Sequence, residues 1–461
     1  MTMEDILKRQ RQSWLEEGVV SVATRQDRLQ RLLSILDEYG TRFCEAMAQD
    51  FGHRSVHQSR MTDISGAEGP IKHAISHVKK WMRPEKRKAS FPMGLLGGRA
   101  RIEYQPLGVV GCISPWNFPV QLTFAPLGGV LAAGNRTMIK PSEYTPVTSA
   151  LMAEAFASRF DDTEIAVVLG GPAEGEAFSR LPFDHLLFTG ATSIGKHVMR
   201  AAADNLVPVT LELGGKSPVI VGRSADLSLT ARNVMFGKTM NAGQICLAPD
   251  YVMLPSEDRD QFVDELTSAV KDLYPSIKDN DDYTSIVNER HYHRLNGYLE
   301  DAESKGATLV PINPAGEDFT QQEHHKIPPT LILDPTEDMA VMQDEIFGPV
   351  LPVKTYDEIG ETIDYVNDHD RPLGLYYFGS DSGEKEQVLS HTTSGGVTVN
   401  DVIMHIAHED LPFGGVGPSG MGAYHGYDGF KTFSHARSIY EQSSLVSKLA
   451  KTMQPPYGKG R

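Results

Sequence analysis

The chain has 461 residues, of which 40% are hydrophobic and 23% are charged, a composition typical of a globular protein with two or three domains. Its 42 glycines and 28 prolines follow no repeat, which excludes collagen-like and low-complexity chains. A total of 44 basic residues against 60 acidic residues gives a net charge of −16, so neither nucleic acid nor an anionic membrane surface is an expected partner.

Residues 1–90 are predicted to be mostly helical, because apolar residues recur at helical spacing within residues 24–51 and 70–82. The N-terminus is charged throughout and lacks the apolar core of a secretory signal, so no export is expected. Residues 90–104 are rich in glycine and proline, and the helical character ends there. We therefore expect a connection or a protruding arm after the helices.

From residue 108 onward, short apolar runs alternate with helical segments, which predicts a doubly wound parallel sheet. The uncharged stretch from Tyr104 to Asn135 is long enough to span a bilayer, but prolines and glycines interrupt it. We interpret that stretch as a buried strand, a loop and a helix. The strand pattern restarts after the turn signal in LELGGKSP, which predicts a second α/β unit.

Three cysteines occur, Cys44, Cys112 and Cys246, and none forms a Cys-x-x-Cys pair. This argues against a disulfide framework or a thiolate zinc site and favours a reducing cytoplasm. Cys44 and Cys112 fall in apolar patterns that suit buried side chains, whereas Cys246 lies in the polar stretch TMNAGQICLAPD. A thiol there can be exposed and have its pKa adjusted by neighbouring dipoles, so Cys246 is the candidate nucleophile. Close histidine pairs lack a third ligand, and no metal site is predicted.

Two polar residues at predicted strand ends are candidate partners of the Cys246 thiol. Glu212 follows the apolar run PVTL, at a position where α/β active sites gather, and is a candidate general base. Asn117 lies in SPWNFP, whose prolines stiffen the loop, and is a candidate donor to an oxyanion. The alternatives are a carboxylate that caps a turn and an ordinary turn asparagine.

A nucleotide cofactor is indicated by weaker features, since the chain lacks the G-x-G-x-x-G fingerprint. The run HLLFTG ends at Gly190 and leads into a helix that begins around Ser193, whose free N–H groups can face a pyrophosphate. Helix capping explains the spacing of Gly190 and Gly195 equally well. Lys140 and Glu143 follow another strand and suit hydrogen bonds to ribose hydroxyls, with a surface ion pair as the alternative.

Seven short motifs follow one another through nearly the whole chain: SPWNFP, IKPSE, FTGATSIG, LELGGKSP, GQIC, EIFGPV and LPFGGVGPSG. In this order and spacing they resemble the aldehyde dehydrogenase superfamily. The short N-terminal region resembles the dimeric, class 3-like branch, and residues 94–136 look like the bacterial coniferyl aldehyde dehydrogenase subgroup. The resemblance implies a cytoplasmic enzyme that oxidises an aldehyde to the carboxylic acid with NAD, or alternatively NADP, through a thiohemiacetal and a thioester on cysteine.

The resemblance also assigns roles to individual residues. It implies that Cys246 is the nucleophile, that Glu212 is the general base, and that Asn117 and the Cys246 backbone N–H form the oxyanion hole. The implied cofactor contacts come from Lys140 and Glu143 at the adenosine ribose, Glu345 at the nicotinamide ribose, and Trp116, Thr189, Gly190, Gly195, Leu213 and Phe347 along the rest of the cofactor. Ala191 stands where many members carry a hydroxyl that contacts the pyrophosphate, so this contact is expected to be lost or replaced by backbone and water.

The aldehyde channel implied by the resemblance is lined by Phe118, Gln121, Ala125, Ile245, Leu247 and Phe413. Ala125 stands where a bulky aromatic side chain often narrows the channel, so a coniferaldehyde-like aromatic aldehyde is the expected substrate. His405 and His408 are interpreted as solvated side chains near the mouth, with contact to a phenolic hydroxyl as the alternative. Medium-chain aliphatic aldehydes are the alternative substrates, and a cofactor-independent cysteine esterase is the alternative class of enzyme.

The fold class implied is α/β, with a doubly wound Rossmann-like cofactor domain, a second α/β catalytic domain and a small oligomerisation arm. The implied boundaries are an NAD(P)-binding domain over residues 1–87 and 107–211 with a return segment at 419–434, a catalytic domain over 212–418, and an arm and C-terminal tail over 88–106 and 435–461. Such an arm implies a homodimer, with a tetramer as the alternative. The C-terminal stretch is too short and too charged to anchor the chain in a membrane.

Overall fold

The computed structural model describes residues 2–450 and 455. Its helices are α1 (Met3–Glu17), α2 (Val22–Asp50), α3 (Val56–Ser59), α4 (Gly66–Trp81), α5 (Gln121–Ala133), α6 (Pro146–Ala157), α7 (Pro172–Ser179), α8 (Thr192–Ala203), α9 (Leu227–Thr239), α10 (Arg259–Leu273), α11 (Glu289–Ser304), α12 (Ala340–Gln343), α13 (Ile359–Asn367), α14 (Ser382–His391), α15 (Gly426–Thr432) and α16 (Ser444–Ala450). A π-helical turn, Arg60–Ser65, joins α3 to α4, and a 3-10 turn, Met240–Gly243, follows α9.

The strands alternate with these helices along most of the chain. They are β1 (Glu85–Arg87), β2 (Arg99–Pro106), β3 (Val109–Ile113), β4 (Arg136–Lys140), β5 (Ile165–Val167), β6 (His185–Thr189), β7 (Val209–Glu212), β8 (Pro218–Val221), β9 (Tyr251–Pro255), β10 (Thr308–Pro311), β11 (Thr330–Leu333), β12 (Val350–Tyr356), β13 (Gly374–Phe378), β14 (Gly396–Val399), β15 (Gly420–Met421) and β16 (Ser434–Glu441).

The N-terminal helices form where the apolar spacing predicts them. Ser21 caps α2, because its hydroxyl accepts a hydrogen bond from the Thr24 backbone N–H at 3.1 Å. One face of α2 buries a stripe that includes Leu29, Leu36 and Phe43. This stripe packs with α4, α5 and α6 into one continuous core.

A six-stranded sheet, in the order β15-β7-β6-β3-β4-β5, is parallel except at its β15 edge. Alternate residues of β6 face different cores: Leu187 packs with α2 and α5, whereas Leu186 and Phe188 pack with Leu7 of α1 and Val198 of α8. Helices therefore cover both faces of the sheet, which explains why its strands are almost continuously apolar.

The carboxyl ends of β3, β4, β6 and β7 meet at one edge of this sheet. Ile113 lies opposite both Lys140 and Phe188, and Thr189 lies opposite Glu212. The side chains and loops that follow these residues are therefore neighbours in space, although they are far apart in sequence. Such an edge is where open α/β sheets bind ligands.

A second sheet of seven strands has the order β10-β11-β12-β9-β8-β13-β14 and is parallel except for β10. Six of these strands coincide with predicted apolar runs, and together the two sheets confirm the predicted α/β class. No apolar run marked β10, because it is a short edge strand whose outer residues, Thr308 and Pro311, are exposed.

A third, antiparallel sheet contains β1, β2 and β16. Strand β16 pairs with β2 along its whole length, from Ser434 opposite Pro106 to Glu441 opposite Arg99. The large apolar side chains of Phe91 and Leu95 precede β2 and are exposed. The predicted domain boundaries stay predictions, and part of the predicted C-terminal tail, residues 451–454 and 456–461, lies outside the described residues.

The described residues contain neither a membrane-spanning helix nor a cluster of metal-ligating side chains. None of the helices formed by residues 2–450 is both long enough and apolar enough to cross a membrane. Within the same part of the chain, no group of three or more His, Cys, Asp and Glu side chains is placed to hold a metal ion.

Candidate active site

The candidate reacting groups come from three segments that meet at the carboxyl edge of the six-stranded sheet. Glu212 is the last residue of β7, and Asn117 lies in the loop between β3 and α5. Cys246 follows the 3-10 turn after α9 and precedes β9 of the second sheet. A cavity of about 1680 Å³ opens at this junction, and Asn117 and Cys246 both line it.

The loop that carries Cys246 has an unusual backbone. Asn241 has a φ of 50° and Gly243 a φ of 74°, both in the left-handed region that most residues avoid. A Cβ at Gly243 would overlap the carbonyl oxygen of Gly348. The Cys246 loop therefore lies directly against the loop that carries Glu345, at a distance that only glycine permits.

Asn117 is buried and hydrogen bonded on both its side chain and its backbone. Its Nδ2 donates to the carbonyl oxygen of Gln244 at 3.1 Å. Its own carbonyl oxygen accepts hydrogen bonds from Asn241 Nδ2 at 3.1 Å and from Arg54 Nη1 at 2.7 Å. A side-chain amide has two N–H bonds, so one remains for a ligand oxygen in the cavity while the other fixes the amide plane.

Cys246 is half-buried, and burial raises the pKa of its thiol to about 12. The charges of Glu345 and Glu212 act in the same direction, and the backbone N–H groups of Cys246 and Leu247 act in the opposite direction. The thiol is therefore protonated at neutral pH in this arrangement, and its activation requires a group that accepts the proton.

Glu212 is a buried carboxyl group without a hydrogen-bond partner on either oxygen in the described part of the chain. Burial raises its pKa well above the ordinary value. The alternative interpretation, a carboxylate that caps a turn, is wrong, because neither oxygen accepts a backbone N–H. A buried acid that titrates far above its normal range is a candidate for proton transfer.

Most of the predicted cofactor residues line the same cavity. These are Trp116, Lys140, Glu143, Thr189, Gly190, Glu345 and Phe347. Gly195 and Leu213 lie behind the wall, where a Cβ at Gly195 would approach the Leu213 side chain to 2.7 Å. The ring of Trp116 meets the ring of Phe347 edge to face, with 5.3 Å between centroids.

Two ends of the cavity carry groups that suit ribose hydroxyls. At one end, the buried Lys140 Nζ donates to the Pro141 carbonyl oxygen at 2.8 Å and lies 3.8 Å from a Glu143 carboxylate oxygen. At the other end, Glu345 receives the Gly215 backbone N–H, while its buried Oε1 has no partner in the described part of the chain. Burial raises the pKa of Glu345 to about 8.

Helix α8 begins at the cavity wall between these two ends. Ala191 occupies its N-cap position and provides no side-chain hydrogen bond, so backbone N–H groups of the first turn remain available. Free N–H groups at a helix N-terminus favour a phosphate group. Together with the unpartnered oxygen of Glu345, they form an arrangement that fits a dinucleotide such as NAD or NADP.

The predicted substrate residues are mostly apolar and buried, and none of the six belongs to the lining of the cavity that Asn117 and Cys246 share. Phe118, Ile245, Leu247 and Phe413 belong to one core cluster against which Cys246 packs, Ala125 is buried separately, and Gln121 is half-buried at the start of α5.

The interpretation of His405 as a solvated side chain is wrong, whereas His408 is exposed. His405 is half-buried, with its Nδ1 2.9 Å from the Thr398 hydroxyl and its ring stacked on Phe413 at 6.2 Å. Burial lowers the pKa of His405 to about 4, so its ring is neutral at physiological pH.

Sequence reasoning missed residues that support the site from behind. Arg54 and Asp63 form an ion pair whose side chains are fully buried, and neither residue belongs to a motif. Arg294 of α11 donates to the carbonyl oxygen of Ile346 at 2.8 Å, next to Phe347, whose φ is 49°. Among these supporting residues, Asn241 is the one that the sequence could have indicated, because it lies within TMNAGQICLAPD, the stretch that contains Cys246.

The model of the aldehyde dehydrogenase family matches residues 8–439 of this chain. The chain belongs to this family. A protein of Caulobacter vibrioides named probable coniferyl aldehyde dehydrogenase is 60% identical, over 99% of this chain and 95% of its own length. A protein of Pseudomonas sp. strain HR199 named coniferyl aldehyde dehydrogenase is 55% identical, over 98% of this chain and 93% of its own length.

The fold of this family member also matches solved structures. The substrate-bound state of Staphylococcus aureus AldH superposes with a TM-score of 0.91 and 34% identity, and the alignment covers 98% of this chain and 100% of that one. Family membership confirms the resemblance drawn from the seven motifs. The roles of the individual residues are not decided by it and rest on the geometry described above.

Proposed function

We propose that this aldehyde dehydrogenase oxidises a coniferaldehyde-like aromatic aldehyde to the carboxylic acid with NAD, through a thioester on Cys246. The observation that carries the proposal is the shared cavity: Asn117, Cys246 and Glu345 line it together. Glu212 ends the strand next to Thr189, which lines the cavity as well. A nucleophile, an oxyanion donor and a ribose acceptor therefore line one space, and Glu212, the proton acceptor, is buried near enough for its charge to act on the Cys246 thiol.

The first step is addition of the Cys246 sulfur to the aldehyde carbon. Glu212 accepts the thiol proton, which its raised pKa favours, and a bond forms between sulfur and carbon. The carbonyl oxygen then carries the negative charge. The free N–H of the Asn117 amide and the Cys246 backbone N–H stabilise it, an interaction worth about 3 kcal/mol in comparable sites.

NAD(P), when bound, supplies the acceptor for the hydride that the thiohemiacetal carbon loses. Lys140 and Glu143 would hold its adenosine ribose, and Glu345 would hold its nicotinamide ribose through the oxygen that lacks a partner. Asn117 would hold the substrate oxygen through its second N–H throughout this step.

Hydrolysis of the thioester completes the reaction. After the thiol proton has passed from Glu212 to solvent, Glu212 removes a proton from water and the resulting hydroxide attacks the thioester carbon. The bond to Cys246 then breaks, the acid is released, and the departing thiolate takes up the proton from Glu212. The carboxyl group must be deprotonated for this step, and its raised pKa makes it a strong base once it is ionised. This role also argues against transfer of the acyl group to another thiol.

NAD is the proposed cofactor rather than NADP. The Glu143 carboxylate lines the cavity beside Lys140, where the adenosine ribose would lie. A carboxylate repels the additional phosphate that NADP carries on the ribose 2′ oxygen.

The aromatic substrate is proposed from the chemistry of the buried cluster against which Cys246 packs. Phe118 and Phe413 are aromatic members of that cluster, and Ala125 is a small buried side chain. The two relatives named coniferyl aldehyde dehydrogenase share more than half of this sequence, which supports the same substrate class.

We also propose a cytoplasmic homodimer. Strand β16 forms one of the two edges of the three-stranded sheet, and Phe91 and Leu95 expose apolar surface near its partner strand β2. Unpaired edges and exposed apolar patches are features of surfaces that bind a second chain. Light scattering coupled to size-exclusion chromatography tests this, and a monomer across micromolar concentrations would contradict it.

The experiment that tests the reaction follows reduced cofactor with NAD or NADP and four aldehydes: coniferaldehyde, benzaldehyde, hexanal and octanal. We expect the highest kcat/KM with coniferaldehyde and NAD, and none with Cys246→Ser, whereas the control variant Cys44→Ser retains activity. Hexanal or octanal ahead of coniferaldehyde would overturn the aromatic assignment. No reduction with any aldehyde would overturn the reaction and favour a cysteine esterase.

A further inference from the structure

Asn117 is held from behind by a charged residue that does not line the cavity. Arg54 lies between α2 and α3, and its side chain is fully buried. It donates from Nη1 to the Asn117 carbonyl oxygen at 2.7 Å and from Nη2 to Asp63 Oδ2 at 2.7 Å. Its guanidinium carbon lies 4.7 Å from the ring centre of Phe51 and 5.1 Å from that of Phe118. The cation is thus fixed on both its edge and its faces.

Asp63 extends this contact to the beginning of α5. Its Oδ1 accepts hydrogen bonds from the backbone N–H groups of Val120 at 3.2 Å and Gln121 at 3.3 Å. The N-cap residue of α5, Val120, provides no side-chain acceptor, so Asp63 supplies one from a distant part of the chain. Asp63 projects from the π-helical turn, a conformation that is rare and often occurs at functional sites.

The two residues together hold both ends of the short segment from Asn117 to Gln121. Arg54 fixes the carbonyl at one end, and Asp63 fixes the amides at the other. The Asn117 carbonyl also accepts from Asn241 Nδ2, and the backbone N–H of Asn241 donates to Gln58 of α3 at 2.9 Å. The loops that present Asn117 and Cys246 therefore share one support.

A buried ion pair is a poor way to stabilise a fold, because desolvation offsets much of the attraction and apolar side chains of similar volume often do as well. Such a pair instead orients the groups that it contacts, because a guanidinium group donates its hydrogen bonds in a fixed, planar geometry. We propose that Arg54 and Asp63 are positioning residues that hold the Asn117 amide where the substrate oxyanion forms. The inference rests on the proposed function in assigning the oxyanion contact to Asn117.

The test is a double-mutant cycle between Arg54→Lys and Asn117→Ala. Lysine keeps the positive charge but cannot donate to the Asn117 carbonyl and to Asp63 in the same fixed fork. We expect Arg54→Lys to lower kcat on the order of 10- to 100-fold, since small displacements of positioned groups have effects of this size. KM for aldehyde and for NAD should change less than about 3-fold, because neither contact is made by Arg54.

The decisive comparison uses the Asn117→Ala protein as background. If Arg54 acts through Asn117, Arg54→Lys slows that protein by less than about 2-fold, because the group that it positions is already gone. The same factor in both backgrounds would overturn the proposal. Alkylation of Cys246 by iodoacetamide forms no oxyanion, so its rate should not change in Arg54→Lys. A parallel fall in alkylation would show that Arg54 acts on the thiol instead, and would also overturn the proposal.

Two further variants separate positioning from general stability. Asp63→Asn keeps the side-chain volume and one acceptor oxygen but replaces the other oxygen by an amide group that cannot accept from Arg54. It should reproduce the result of Arg54→Lys, and it tests the proposal even if the Arg54→Lys protein folds poorly. Arg28→Lys is the matched control, since Arg28 is also a buried arginine and lies 2.9 Å from both Glu17 and Glu164. It should lower the melting temperature without lowering kcat, and an equal loss of kcat would contradict the proposal.

Failure of the proposed function would be seen separately. Hydrolysis of p-nitrophenyl acetate uses the Cys246 nucleophile and the oxyanion contact but no cofactor. If the unaltered protein hydrolyses this ester and oxidises no aldehyde, the proposed function fails, and the same double-mutant cycle on ester hydrolysis still decides the role of Arg54.

Discussion

Asp63 and Glu212 are two buried carboxyl groups that serve the same catalytic region in opposite surroundings. Asp63 accepts hydrogen bonds from Arg54 and from the backbone N–H groups of Val120 and Gln121. Glu212 accepts none in the described part of the chain. The two residues show two roles of a buried carboxyl group. With its hydrogen bonds made, the carboxylate of Asp63 holds its neighbours in place, whereas without hydrogen bonds the carboxyl group of Glu212 can take up and release a proton.

Removal of the coordinated carboxyl group should have the largest effect on stability. Asp63→Ala leaves the Arg54 cation buried without its partner, and we expect a loss of about 3–5 kcal/mol in the free energy of unfolding. Urea denaturation followed by fluorescence measures it. A loss below about 1 kcal/mol would mean that Asp63 is not the main partner of Arg54, and the contrast with Glu212 would collapse.

Removal of the uncoordinated carboxyl group should affect chemistry and leave the fold intact. Glu212→Gln is expected to lower turnover by about 100-fold or more, because amide nitrogen and oxygen cannot act as a general base. Its stability should not fall, since no hydrogen bond is lost. Steady-state turnover and iodoacetamide alkylation are measured together, with the exposed Glu300→Gln as control; near-normal turnover would remove Glu212 from the mechanism.

The pH dependence of turnover should report the same uncoordinated group. Hydrolysis requires ionised Glu212, and burial raises its pKa, so the active fraction increases with pH up to that raised pKa. Below that pKa the increase is about 10-fold per pH unit. Glu212→Gln should lose this increase, and an identical slope in both proteins would assign the titration to another group, such as Glu345.

A third carboxyl group, Glu143, is partly exposed and should show the smallest effect. Solvent screens its charge, so we expect Glu143→Gln to narrow the preference for NAD over NADP by only about 3-fold. Specificity constants with both cofactors measure the change. A preference for NAD that is unaltered by the substitution would locate the discrimination elsewhere in the cavity.

The sequence predicted the elements that carry strong local patterns. The apolar runs that became β3, β6, β7 and most strands of the second sheet are buried on both faces, so they stand out without a structure. Glu212 and Asn117 were found for the same reason, because each follows such a run. Edge strands β10 and β16 are partly exposed and left no comparable signal.

Long-range polar contacts could not be read from the sequence. Arg54 reaches the Asn117 carbonyl across 63 positions of the chain, and the contact is to a backbone atom that any residue would provide. The raised pKa of Cys246 likewise depends on burial by distant segments, so local composition suggested exposure without showing its electrostatic consequence. The sequence pattern therefore locates the proposed reacting groups, and the fold shows which distant residues hold them in place.

The contact between Gly243 and Gly348 limits how the enzyme can diverge. The loop of Cys246 and the loop of Glu345 touch where Gly243 faces the carbonyl oxygen of Gly348. A side chain at position 243 would overlap that oxygen. A change in one loop is therefore acceptable only if the other is compatible, so the two segments are expected to be inherited as a matched set. Chimaeras that exchange residues 240–246 between relatives should keep both glycines or exchange residues 345–348 at the same time.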